Sequence, residues 1–283
     1  MARVTIVTDS NAHLSPKLAQ RLNVHVLPHT IHLQQGNFKE GTELAPSQYF
    51  DLLRKGDSAV LPHASGPSLD DFLELYSRLH KETDQILSLH MSSHLSNTVR
   101  TATMARNMLL GRCRIEVVDS LSTTVGLGYV VQAAAAAANS GHNLDDCNRL
   151  VRGMLPHVYL FFLVKQLPYL QREGLISPAQ AELGTMLKIL PVLEIEDGKI
   201  IPLEKVRTGA QGVDKLFDYV SEFANLQRTA VLQRGFSQET EILLERLELA
   251  YPGQNFPVMS CNPSLAVHLG PEAMGVVVFE AIG

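Results

Sequence analysis

Short apolar runs with strand periodicity alternate with amphipathic helical stretches through the first half of the chain. Residues 3–8 (RVTIVT) form a β-rich run that ends in Asp9-Ser10-Asn11. Ser15-Pro16 reads as a helix start, with Ser as cap and Pro in the first turn. Residues 23–33 (NVHVLPHTIHL) predict a second strand, followed by a turn at Gln34-Gln35-Gly36-Asn37. A helix is predicted over 46–55, stopped by Gly56. Residues 61–68 (LPHASGPS) form a loop rich in Pro, Gly and Ser, and its Ser68 caps a helix with Leu69, Phe72, Leu73, Tyr76 and Leu79 on its apolar face. Ile86, Leu87, Leu89 and Met91 then mark a buried strand. Ser92, Ser93, Ser96 and Thr98 follow it directly, and a helical pattern begins with Leu95, Val99, Ala102, Ala105 and Leu109 on one face and Gly111 as its stop. Residues 115–118 (IEVV) predict another strand ending in Asp119-Ser120, a repeat of the Asp9-Ser10 ending. Gly126-Leu127-Gly128 opens an Ala-rich helix that ends near Asn139-Ser140-Gly141.

The second half reads differently. Helices are predicted at 144–155, from Ser177-Pro178 to 187, at 212–224 and at 238–250. Strands are predicted at 158–164 (VYLFFLV), 229–233, 256–259 and 276–279. Residues 189–196 and 199–206 flank Asp197-Gly198, a strong hairpin signal. The expected fold class is α/β with two domains. The first, 1–150, has a mostly parallel sheet; the second, 151–283, has a mixed sheet that includes the hairpin.

Composition narrows the function classes. The chain is 45% hydrophobic and 19% charged, enough to bury a sizeable core. Its net charge is −5 and it has no basic stripe with interleaved aromatics, which argues against nucleic acid as a partner. The longest apolar run, 130–138, is mostly alanine and too short to span a bilayer, so an integral membrane protein is not expected. The N-terminus has an early charge and no sustained apolar core, so it does not read as a signal peptide. Cys113, Cys147 and Cys261 lie far apart and in no CxxC spacing. They read as free thiols in a reducing cytoplasm.

The chemistry concentrates at strand ends. Four hydroxyls at the 92–98 strand-to-helix junction, beside unpaired backbone N–H groups and the positive end of a helix dipole, make a cradle for a carboxylate or phosphate. The same residue types are good helix caps, so both readings stand. Asp9 and Ser10 end a strand where open α/β sheets bind ligands. His25, His29 and His32 invite a metal reading. No Asp, Glu or Cys stands nearby in the sequence, and strand alternation separates His32 from the other two, so no metal site is expected. Gly126 and Gly128 lack the third glycine of a dinucleotide fingerprint and read as close helix packing.

Seven blocks, in order along nearly the whole chain, together resemble the DegV family of bacterial fatty-acid-binding proteins. Thr8-Asp9-Ser10 is similar to its T-D-S, and residues 62–68 (PHASGPS) to P-K-T-S-Q-P-S. Residues 91–98 (MSSHLSNT) are similar to I-S-S-x-L-S-G-T, and 117–120 (VVDS) with Gly126 to V-x-D-S…S-x-G. Residues 169–177 (YLQREGLIS) are similar to Y-L-x-x-G-G-R-I-S, 205–207 (KVR) to K-x-R, and 268–275 (HLGPEAMG) to H-x-G-P-G-x-x-G. The resemblance implies a two-domain α/β carrier that buries one long-chain fatty acid between its domains. It implies presentation of the carboxylate to a partner fatty acid kinase, which makes an acyl phosphate, and no cofactor or catalytic centre of the carrier's own. A chain of roughly 15 methylenes represents about 12 kcal/mol of transfer energy before association costs. Its carboxylate needs donors. The resemblance implies Ser92 or Ser93 and His268 as those donors, with Asp9, Ser10 and Ser120 organising them and Gly270-Pro271 holding the His268 loop. Ala64, Ser65 and Ser96 complete the expected ligand-binding set.

Departures from the family pattern bear on the head group. The threonine of P-K-T-S is Ala64 here. The arginine of G-G-R-I-S is Leu175, and the first of its glycines is Glu173. His63 and His94 are extra polar groups near the same blocks that can compensate. Two alternatives stay open: an acyl-binding regulator with no kinase partner, and a hydrolase using Ser92 or Ser93 as nucleophile, His268 as base and Asp9 or Asp119 as orienter. The chain has no G-x-S-x-G elbow.

Overall fold

The computed structural model describes residues 4–57, 60–109, 111 and 113–281. Arg3, the first residue of the predicted first strand, lies outside them. The first elements in chain order are β1 (Thr5–Asp9), α1 (Pro16–Leu22), β2 (Val24–Leu27), β3 (Thr30–Leu33), β4 (Gly36–Lys39), α2 (Pro46–Lys55), β5 (His63–Ser65), α3 (Leu69–Leu79), β6 (Gln85–His90), α4 (Thr98–Met108), β7 (Arg114–Asp119), α5 (Thr124–Asn139) and α6 (Leu144–Met154). They are followed by β8 (Val158–Val164), α7 (Leu167–Arg172), α8 (Pro178–Met186), β9 (Leu190–Glu196), β10 (Lys199–Val206), α9 (Gly209–Ser221), β11 (Leu226–Arg234), α10 (Ser237–Ala250), β12 (Val258–Met259), α11 (Pro263–Leu269) and β13 (Ala273–Glu280). The chain forms two compact units: Met1–Ala45 with Pro62–Pro156, and Pro46–Leu61 with His157–Gly283.

The first unit holds a four-stranded parallel sheet in the order β2-β1-β6-β7. Every residue of β1 is buried, as in a parallel-sheet strand covered on both faces, even though Thr5, Thr8 and Asp9 are polar. Phe72, Leu75 and Tyr76 of α3 and Ala102 and Ala105 of α4 pack with Val7, Ile86 and Ile115 of the sheet. Ser68 caps α3 in a capping box with Asp71. The first two turns of α5, from Thr124 to Val131, are wholly buried. A Cβ on Gly128 would fall on the carbonyl oxygen of Ala12, so the α5 glycine serves close packing, as its spacing suggested.

The predicted strand over 23–33 is two strands in two sheets. Pro28 supplies no N–H and ends the ladder after β2. Past His29 the chain resumes as β3, in a separate antiparallel sheet of order β4-β3-β5. The loop predicted over 61–68 contributes β5 to that sheet. Helix α4 begins at Thr98, so Leu95 lies in the preceding turn and not on the helix face.

The second unit holds a six-stranded mixed sheet, β10-β9-β8-β13-β11-β12, antiparallel except at β11–β12. β8 sits at its centre, and all but one of its seven residues are buried. Asp197 (φ 48°) and Gly198 (φ 78°) turn the β9–β10 hairpin, the positive pair that a two-residue turn needs. α9 and α10 cover one face through Val213, Leu216, Leu243 and Leu247. The short helices α7 and α11 have no counterpart among the predicted elements. Among the described residues no helix is long and apolar enough to cross a membrane.

Two glycines of the first unit should respond oppositely to alanine. Gly128→Ala sets a methyl against backbone and should destabilise by about 1–3 kcal/mol. Gly153→Ala, in α6 with nothing within 4 Å of the new Cβ, should stabilise by about 0.5–1 kcal/mol. Thermal melts of the two variants check the signs.

Candidate functional site

β1 ends in a carboxylate with no exposure. Asp9 Oδ1 accepts the N–H of Asn11 at 3.1 Å. Its Oδ2 accepts the N–H of Met91 at 3.1 Å and lies 3.0 Å from His90 Nδ1. Burial by itself would raise this carboxyl. His29, whose Nδ1 lies 3.8 Å from Oδ1, together with His90 and the Met91 N–H, outweighs burial and holds it below the usual carboxylate range. Behind His90 the chain of hydrogen bonds continues: Nε2 lies 2.7 Å from Ser88 Oγ, which accepts the Tyr76 hydroxyl at 2.7 Å. One assignment satisfies every donor. Tyr76 donates to Ser88, Ser88 to His90 Nε2, and His90 Nδ1–H to Asp9. Burial pushes the Tyr76 phenol up against the opposing pull of Ser88.

A second histidine fastens the same strand end. His29 N donates to Ser10 Oγ at 2.9 Å, and Ser10 donates to the buried Glu40. His29 Nε2 lies 3.4 Å from Thr98 Oγ1 and 3.5 Å from Ser96 Oγ, and those two hydroxyls are 2.7 Å apart. The sequence placed no acid near the three histidines. Folding brings Asp9 and Glu40 to His29, because residues 9 and 40 flank it in space and not in sequence. His25 sits in β2 and His32 in β3. Among the described residues no three His, Cys, Asp or Glu side chains are grouped to hold a metal ion.

The 91–98 junction divides its hydroxyls between two jobs. Ser92 is fully buried; its Oγ accepts the His94 N–H at 3.2 Å and its carbonyl accepts the N–H groups of Leu95 and Ser96. It caps an isolated turn, not α4, whose own cap residue Asn97 makes no side-chain capping bond. Ser93 is exposed. Its backbone N–H is held by the Asp119 carboxylate at 3.2 and 3.3 Å, and among the described residues its hydroxyl has no partner. Ser120 is buried, donates to the Ser122 carbonyl and takes the Ser122 N–H. Asn11 reaches the start of α5, where its Oδ1 accepts Thr123 Oγ1 at 2.8 Å and the Thr124 N–H at 2.7 Å. These bonds hold Thr124 at φ 46°, a strained value for a β-branched residue.

Of the remaining predicted residues, Ala64 and Ser65 lie in β5, with the Ser65 hydroxyl 2.9 Å from His32 Nε2. His63, one of the two histidines that can compensate for the missing threonine, stacks on His32. In the second unit His268 ends α11, and its Nδ1 lies 3.2 Å from Glu173 Oε2. Burial would raise the Glu173 carboxyl; His268 and Arg172 overcome this and lower it. Arg172 also donates to the Val267 carbonyl. The glutamate that replaces a family glycine therefore stands at ion-pair distance from the α11 histidine, without a well-aligned hydrogen bond. Gly270 has φ 90°, and a Cβ there would come 3.1 Å from Gln166. Leu175 is half-buried. The second unit also has a cleft of about 790 Å³ lined by Phe50, Leu53, Leu61, Tyr169 and Arg234 among others, and none of the predicted ligand-binding residues lines it.

The sequence reading did not single out His90, Glu40 and Arg172 for the site. His90 was legible only as one more position in an apolar strand. The hydrolase reading named Asp9 and Asp119 as orienters. Both are committed elsewhere, Asp9 to His90 and backbone N–H groups, Asp119 to the N–H groups of Ser93 and Leu121.

The model of the DegV family, described as uncharacterised proteins, matches residues 3–281. The chain belongs to the DegV family. A DegV domain-containing protein of Streptomyces coelicolor is 32% identical over 279 residues, spanning 97% of this chain and 98% of its own. A DegV family protein from Thermus thermophilus, described as fatty acid binding, superposes with a TM-score of 0.85 at 29% identity, over 99% of this chain and 100% of its own. DegV of Bacillus subtilis, described as a fatty acid binding protein, gives 0.85 at 26% identity with the same coverage. The α/β architecture with one parallel and one mixed sheet is that of DegV folds.

Asp9 makes acid sensitivity a property of the DegV opening block. Its folded pKa lies below its unfolded value, so the stability it contributes is complete above about pH 3.9 and is lost as pH falls toward the folded value. Asp9→Asn should cost about 2–3 kcal/mol at pH 7, the worth of hydrogen bonds to a buried charge. The gap to the unmodified protein should narrow at pH 3. Urea unfolding at both pH values measures it; an equal gap at both would assign Asp9 a neutral role.

Proposed function

We propose that this protein carries one long-chain fatty acid and that the 91–98 junction of its first unit holds the carboxylate. The observation that carries the reading is the exposed Ser93 hydroxyl. Its neighbours Ser92 and Ser120 are buried and hydrogen-bonded, while Ser93 is fixed through its backbone by Asp119 and keeps its side chain uncommitted. A donor held in place before the ligand arrives loses little entropy on binding. The fatty-acid binding described for the Thermus and Bacillus relatives supports the ligand class. In the second unit His268, with Glu173 3.2 Å from its Nδ1, is the second donor that the sequence blocks support for the same class of group. The seven sequence blocks support the further step, presentation of the carboxylate to a partner fatty acid kinase, with the chain itself acting as carrier.

Native mass spectrometry of the purified protein should show a stoichiometric long acyl chain or its uptake on addition. Ser93→Ala should weaken acyl binding by about 1–3 kcal/mol, the cost of leaving an acceptor short of a donor. A bare polypeptide that takes up no added fatty acid would sink the carrier reading; unchanged affinity in Ser93→Ala would move the carboxylate elsewhere.

Leu175 places an apolar side chain where the family pattern has a cation, which suits an anionic head and an incoming phosphate poorly. Leu175→Arg combined with Ala64→Thr should therefore raise acyl-phosphate formation about tenfold when such a kinase is supplied, at matched acyl occupancy. Equal rates for both proteins would make the two departures neutral.

A further inference from the structure

The small antiparallel sheet of the first unit groups Ser65, one of the expected ligand-binding residues, with two side chains that the carrier reading gives no role, His32 and Asn37. The register of β3 sets His32 opposite Asn37 of β4 on one side and opposite His63 of β5 on the other, with Ser65 two residues along the same face. Asn37 Oδ1 lies 2.8 Å from His32 Nδ1, and Ser65 Oγ lies 2.9 Å from His32 Nε2. The His63 ring stacks on His32 with centroids 4.3 Å apart and 11° between planes, which limits its rotation. An amide oxygen on Nδ1 requires a donor there. With the Asn37 amide assigned oxygen-first, the ring proton sits on Nδ1 and Nε2 turns its lone pair to the serine hydroxyl. In that tautomer an imidazole can take a proton from serine, and amide, imidazole and hydroxyl stand in the order of an oriented base and its nucleophile.

The surroundings suit an acyl group. Gly66 follows the nucleophile directly. A side chain there would collide with Thr98 Oγ1, and Ser96 Oγ lies 3.2 Å from the same point. The hydroxyls of the proposed head-group junction thus border the residue after Ser65, together with Asn97 Oδ1 at 3.0 Å from the same point. Ser65 and His32 are half-buried, within reach of solvent water.

We infer that Ser65, His32 and Asn37 form an esterase centre for activated acyl esters, oxygen esters or thioesters; the choice of acyl groups rests on the proposed fatty-acid binding. Ser65 Oγ attacks the acyl carbonyl carbon as its proton passes to His32 Nε2. The bond to the alcohol or thiol breaks, and the leaving group takes that proton. Water then attacks the acyl-serine and gives a proton to Nε2. The ester bond to Ser65 breaks, the proton returns to Oγ, and the free fatty acid is released. Asn37 holds the ring in the required tautomer throughout. The carrier would thereby generate its own ligand from an activated acyl donor.

p-Nitrophenyl acetate and p-nitrophenyl palmitate test the centre on the full chain, alongside fluorophosphonate labelling read by peptide mass spectrometry. The expected result is slow turnover of both esters and a single label on Ser65 of the unmodified protein. Ser65→Ala should fall to the buffer rate and His32→Gln should fall about 100-fold or more. Asn37→Ala should fall about tenfold. Acetate turnover that persists in Ser65→Ala, a label elsewhere, or no label on the unmodified protein overturns the centre. The labelling needs no variant to fold. Ser65-dependent turnover of acetate without palmitate overturns the long-acyl assignment alone. Failure of fatty-acid uptake in native mass spectra would count against the carrier role and leave the acetate result untouched.

Discussion

The first unit depends on satisfying one buried negative charge. An ionised carboxylate with no exposure costs several kcal/mol unless donors surround it, and losing a single donor leaves that penalty uncovered. Asp9 meets the requirement by drawing on two parts of the chain: Asn11 in its own turn, and His90 with Met91 at the end of β6. β1 and β6 are thereby locked at their carboxyl ends as well as along their ladder. Asn11, placed by Asp9, then fixes the start of α5 through Thr123 and Thr124. The strand ends that form the candidate site are held by the same electrostatic need.

That rigidity explains how the hydroxyls divide. Near a buried charge, polar side chains are recruited into hydrogen bonds within the scaffold. Ser10, Ser88, Ser92 and Ser120 are all used this way. Ser93 escapes because Asp119 takes only its backbone N–H and the turn it begins leaves its side chain exposed. A cluster of serines that reads uniformly as sequence is thus one exposed donor on a scaffold of buried ones.

Substitutions at the family blocks act through new partners as much as through lost ones. Glu173 removes a glycine and supplies a carboxylate to His268, while Arg172 balances it. Ala64 removes a hydroxyl at β5, and its neighbours Ser65 and His63 are engaged by His32. Around the blocks expected for a head group, the polar contacts are therefore histidine–glutamate and histidine–serine pairs.

The sequence by itself determined the elements whose signal is local. The apolar run of β8, the Asp197-Gly198 turn, and the caps at Ser15, Ser68 and Ser177 are recorded in adjacent residues, because hydrogen bonds and dihedral preferences there span four residues or fewer. The order of seven blocks also identified the family before any contact was known. Tertiary structure decided what depends on distant residues meeting. The pairing of His29 with Asp9 and Glu40, the relay from Tyr76 to Asp9, and the division of 23–33 between two sheets each join residues that no local rule connects. Pro28 marked the break in that strand, but only sheet pairing could show that β3 joins another ladder. Alternation along a strand gives the face of His32; the register of β3 against β4 and β5 is what brings Asn37 and Ser65 to its two nitrogens. Side-chain chemistry is written in the sequence, but its partners are chosen by burial and register, which exist only once the sheets have formed.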